Sequence, residues 1–125
     1  MLLHHLTTRA GLDGIFGSGA IAATWPEYLS DNWRWPRVVW LTTQPDPNRQ
    51  GWKVNQPLEV RFTADVPDEE ADAWSACKGD LLLPNMVSAL ERWGDPADWY
   101  VVRRPIPKTE WVEVVDLATN EPIAW

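Results

Sequence analysis

Every apolar stretch in this sequence is broken by a charge, a proline or a polar residue, and none approaches the roughly 20 residues of a membrane-crossing helix. A core must therefore be assembled from many short elements. At 125 residues the chain is long enough to do that as one domain. The start of the chain has neither a basic segment nor a long apolar one, so a secretory leader is not expected. The single cysteine, Cys77, has no partner for an internal disulfide, which fits a reducing cytoplasm. A cytoplasmic protein with no membrane partner is the expectation.

Residues 1–7 read as a strand, and Thr7 or Thr8 is placed to cap a helix over 8–17 with Leu12, Ile15 and Phe16 on its apolar side. Gly17 and Gly19 are expected to stop that helix, with a second extended piece following at AIAAT. The aromatic, proline-bounded stretch 25–36 reads as a loop. RVVWLTT (37–43) and LEVRFTADV (58–66) are strands, the first by β-branched and aromatic content, the second by alternation. Between them, QPDPNRQG (44–51) is a turn or loop. PDEEADAWSACKG (67–79) and NMVSALERWG (85–94) read as short helices, WYVVRRPIP (99–107) and EWVEVVDL (110–117) as strands, and TNEP as a turn into a last short strand. Strands and helices interleave without regular β-α-β order, which predicts an α+β fold on a mostly antiparallel split sheet with short helices.

A net charge of −7 argues against non-specific binding to a phosphate backbone. Ten tryptophans supply flat contact area for cores, interfaces or stacking sites. GIFGSG has the wrong glycine order for a dinucleotide fingerprint and ends a helix where that fingerprint opens one. Its exposed carbonyls would repel phosphate. His4 and His5, as neighbours on a strand, point to opposite faces and do not chelate one metal, and no Cys or His elsewhere completes a set. Cys77 lies in an apolar helical context, where a thiol behaves as a small hydrophobe. No G-x-S-x-G, P-loop or H-E-x-x-H motif occurs.

Three ordered segments remain: His5-Leu6-Thr7, Val39-Trp40-Leu41-Thr42-Thr43, and Thr109-Glu110-Trp111-Val112. In these the chain resembles the ADP-ribosyltransferase fold, in the branch of diphtheria toxin, the poly-ADP-ribose polymerases and the tRNA 2′-phosphotransferases. LLHHLTTRAGLDGIFGSGAI is also similar to the openings of small bacterial members. The resemblance implies NAD as substrate and no metal. His5 would bind the adenosine ribose, with Thr7 supporting the same wall. Trp40, with Thr42 on its strand, would stand where a tyrosine stacks on nicotinamide, Trp52 where a second aromatic closes the other side, and Glu110 where a glutamate holds the nicotinamide ribose. Two tryptophans in place of tyrosines keep the π-face but lose the phenol. Glu113 is the alternative acid, and on a regular strand only one of the two enters a pocket.

Such a site has sound chemistry. Breaking the N-glycosidic bond of NAD builds positive charge on the ribose, which a nearby carboxylate stabilises. Aromatic faces and a distant histidine position the reacting bond. The expectation is transfer of ADP-ribose to a macromolecular acceptor (protein, DNA or RNA) or hydrolysis of NAD. The rival expectation is a non-catalytic, acidic, tryptophan-rich interaction module that inhibits a partner protein, with NWRWP (32–36) as its contact segment.

Overall fold

A computed structural model describes residues 1–23, 37–49, 57–92 and 94–125. The strand at the head of the chain, β1 (Leu2–Thr7), lies inside a seven-stranded antiparallel sheet. Its neighbours are β3 (Val39–Thr42) and β4 (Val60–Asp65). Outward from β3 come β6 (Trp99–Val102) and β5 (Asp72–Ala73); outward from β4 come β8 (Trp111–Asp116) and β9 (Glu121–Pro122). A separate two-stranded sheet pairs β2 (Ala20–Ile21) with β7 (Ile106–Pro107). Three helices complete the described residues: α1 (Arg9–Ser18), α2 (Trp74–Leu81) and α3 (Pro84–Glu91). The protein is α+β, and no helix among the described residues is long and apolar enough to cross a membrane.

Side chains alternate across a strand, so register decides which residues meet. Leu3, His5 and Thr7 pair with Ala64, Phe62 and Val60 of β4. These share a face with Val39, Leu41, Trp111 and Val114, and α1 packs on it through Leu12, Ile15 and Phe16. This is the α1 face. Phe62 and Trp111 meet edge-on with centroids 5.1 Å apart, and Phe16 contacts both rings. On the opposite side, the α2 face, a second core forms from Trp74, Cys77, Leu81, Val87 and Leu90 of the helices against Trp99 and Val101 of β6, with Trp40 at its margin. The sheet thus carries two cores on opposite faces, and the strand residues of the second come from the β3 and β6 side.

Helix α1 follows the expected capping. Thr8 accepts from the Gly11 N–H at 3.0 Å, and Gly19 closes the helix in the left-handed region at φ 76°. Gly17 lies within the helix and does not end it. Gly11 allows a close approach: a Cβ there would fall 2.0 Å from the Thr7 hydroxyl oxygen, so a larger residue forces a shift.

Two further expectations need correction. The helix expected over 67–79 begins only at Trp74, because Asp68–Glu70 form a 3-10 turn and Asp72–Ala73 pair with β6. Sheet pairing outweighs the helix preference of this acidic stretch. The strand expected over 99–107 breaks after Val102: Pro105 lacks an N–H, and Ile106–Pro107 join the smaller sheet.

Candidate functional site

His5 stands on the α1 face, half-buried, with Nδ1 2.9 Å from the Trp40 carbonyl oxygen. A carbonyl only accepts, so this bond puts the proton on Nδ1 and leaves Nε2 as the acceptor of the ring. Burial pushes the imidazole pKa below its usual value, partly opposed by the bond to Trp40. His5 is therefore a neutral, oriented imidazole. Thr7 lies two residues along the same face, against Gly11 of α1.

Trp40 does not share that face. His4 is opposite Thr42, so the Thr42 and Trp40 side chains belong to the α2 face, and only the Trp40 carbonyl reaches His5. The Trp40 indole packs against Trp74, with centroids 5.2 Å apart. Thr42 is buried, and its hydroxyl accepts from the Gln44 N–H at 3.0 Å. Glu113 also lies on the α2 face, opposite Thr63. Trp52 lies outside the described residues, as do Trp33 and Trp35.

Glu110 does not open the strand. It ends a 3-10 turn, Lys108–Glu110, before Trp111, whose indole N–H donates to the Ile106 carbonyl at 3.1 Å. Both Glu110 carboxylate oxygens accept from the Arg104 guanidinium, at 2.7 and 2.8 Å. Arg104 also pairs with Glu70, and these two carboxylates, Glu110 first, hold its pKa above the usual arginine value. The bidentate geometry uses the acceptor capacity of Glu110 along two directions. Along the sheet, Trp111 is level with Ala64 and Leu3, whereas His5 is level with Phe62. The expected histidine, indole and carboxylate thus fall into three places: one face, the other face, and an arginine-bound turn at the strand entry.

The histidine that does share a face with Trp40, Thr42 and Glu113 is His4. Its Nδ1 is 2.8 Å from the Thr63 hydroxyl, and Thr42, His4, Thr63 and Glu113 form one row across β3, β1, β4 and β8. Burial lowers the His4 pKa, Arg61 lowers it further, and Glu113 opposes both. In the adjacent row Leu6 separates Trp40 from Arg61. The alternation of LEVRFTADV is the signal for Arg61 and Thr63 as a polar face, since Val60, Phe62, Ala64 and Val66 are all buried opposite them. Which strands bring His4 and Trp40 to that face depends on register, which the alternation does not encode. Cys77 is buried, and burial, followed by Asp72, raises its thiol pKa, as for a packing residue.

No protein-family model matches the chain, and no curated protein matches it. The structure is similar to the crystal structure of protein CC0527 from Caulobacter crescentus, with a TM-score of 0.51 at 14% sequence identity, covering 98% of this chain and 94% of that one. At that identity the likeness concerns the fold, and it extends over nearly the whole of both chains.

Proposed function

We propose that this chain is an ADP-ribosyltransferase-like domain that binds NAD or ADP-ribose and does not cleave the glycosidic bond. The contrast between His5 and Glu110 carries this reading. The imidazole is held neutral with Nε2 as its acceptor, suited to a ribose hydroxyl donor. The carboxylate that catalysis would need is bound through both oxygens to Arg104. Stabilising an oxocarbenium-like ribose requires a carboxylate aimed at the sugar, and an arginine-neutralised one contributes little to that. Under this reading the protein transfers nothing to protein, DNA or RNA, and acts by holding its ligand.

Calorimetry with NAD and with ADP-ribose, beside an assay for free nicotinamide, tests the proposal. The expected result is saturable binding, weakened at least tenfold by His5→Ala, unchanged by Glu110→Gln, and without nicotinamide release. Absence of binding to either ligand would overturn it. Nicotinamide release that Glu110→Gln abolishes would restore the transferase or hydrolase expectation.

A further inference from the structure

The geometry points to a second site, on the opposite face of the sheet: we propose that Arg61, Trp40 and His4 bind a small oxyanion, a carboxylate or a phosphate, over β1. This inference is independent of the dinucleotide reading, because none of these side chains lies on the His5 face.

Donors without acceptors mark the place. The Trp40 Nε1–H and the Arg61 Nε–H are both buried, and neither finds a hydrogen-bond partner among the described residues. Buried polar groups are almost always paired, so two orphans of the same kind on the same face call for a common explanation. They stand in one cross-strand row with only Leu6 between them, about 10 Å apart from Cα to Cα at the usual strand spacing. The length of an arginine side chain and the breadth of an indole are enough for one ligand to bridge that gap.

The charge at Arg61 is also under-compensated. Its side chain is 18% exposed, yet among the described residues its five N–H donors find one hydrogen bond, from Nη1 to the Pro45 carbonyl at 3.4 Å. Its ion-pair partner among the described residues, Glu113, is 3.8 Å from Nη2, which is ion-pair range but too long for a hydrogen bond. A guanidinium taken this far out of water needs better partners than these. His4 adds to the donor excess. When the Thr63 hydroxyl donates to His4 Nδ1, the ring proton sits on Nε2 and gives this face of the sheet a third N–H.

Three N–H donors and one positive charge fit a ligand group that is negative and accepts only. Carboxylate and phosphate both answer that description, and a guanidinium edge binds either through two parallel bonds. Glu113 is 49% exposed and makes no hydrogen bond to Arg61, so it swings toward solvent as the anion enters. Its charge opposes the ligand and sets the affinity low.

The test follows the two orphan N–H groups in the full chain labelled with 15N. The indole signal of Trp40 is identified by its loss in Trp40→Phe, and the Nε–H signal of Arg61 by its loss in Arg61→Lys. Sodium phosphate and sodium acetate are titrated separately at constant ionic strength, with sodium chloride as the reference. The proposal expects both signals to move together and saturate with at least one anion. Saturation by phosphate assigns a phosphoryl ligand; saturation by acetate assigns a carboxylate. Glu113→Gln, an exposed substitution that leaves the fold intact, should lower the midpoint at least threefold. Movement of neither signal, of only one, or no more than chloride produces would overturn the site, as would a midpoint that Glu113→Gln leaves unchanged.

Discussion

His4 and His5 are adjacent in sequence and live in different chemistries. His5 is fixed by a backbone carbonyl on a face that α1 covers, with aromatic rings packed behind it. His4 is fixed by the Thr63 side chain, on a face where Arg61 and Glu113 set the local field. They are one position apart on the strand, yet the sheet keeps them apart as two surfaces. The lesson concerns parity: a pair of motifs in the right order makes a site only if the pleat turns both to the same side.

The separation is broken or sharpened first through the two cores. Trp111→Ala on the α1 face and Trp74→Ala on the α2 face should each cost about 3–5 kcal/mol in denaturant unfolding. Trp111 loses its contacts with Phe62 and Phe16, and Trp74 loses Trp40, Trp99 and its bond to Glu91 at 3.0 Å. If the faces are independent, the double variant, measured where it remains folded, should lose the sum of the two costs. Strong coupling between them would merge the two cores into one.

A smaller effect probes the approach of α1 to β1. Gly11→Ala places a methyl against the Thr7 hydroxyl and should destabilise by about 1–2 kcal/mol as the neighbours shift. Thr7→Ala in the same chain removes the nearest atom and should recover part of the loss, read as a shift in unfolding midpoint. No recovery would mean that the cost lies in the helix itself.

The histidines are next. His5→Ala leaves the Trp40 carbonyl without its donor and should cost about 1–2 kcal/mol, whereas His4→Ala, releasing a hydroxyl that reorients, should cost about 0.5–1 kcal/mol. The reverse order would show that the charged face matters more to stability than the covered one.

The smallest effect is the dependence on pH. Both imidazoles have folded pKa values below their unfolded ones, so the unfolded chain binds protons first. Their contribution to stability is complete above about pH 6.5, and declines as pH falls from there toward the folded values. His5→Gln should flatten that decline in melting curves between pH 7 and pH 5. An equally steep curve in the variant would assign the decline to His4 or to carboxylates.

Much of the architecture was legible because it rests on local signals. Thr8 and Gly19 carry cap chemistry, RVVWLTT and LEVRFTADV carry strand content and alternation, and both strands lie inside their expected spans. The early helix at 67–73 failed because Asp72–Ala73 are claimed by pairing with β6, a partner distant in sequence. The expected pocket was less legible for the same reason. His5, Trp40 and Glu110 carry suitable chemistry and occur in suitable order, but the faces of the first two depend on the His4–Thr42 register. The partner of Glu110 depends on a break in the strand that brings Arg104 back to it. His4 and Arg61 are polar residues at ordinary strand positions; only the assembled sheet places them on the same face as Trp40.

The most direct measurement of this division is the set of nuclear Overhauser contacts of the two imidazole rings. The structure predicts contacts from the His4 ring to the Thr63 methyl, and from the His5 ring to side chains of the α1 face, with none between the His5 ring and the Trp40 indole. A strong contact between the His5 ring and that indole would place both in one cleft and contradict the two-surface account.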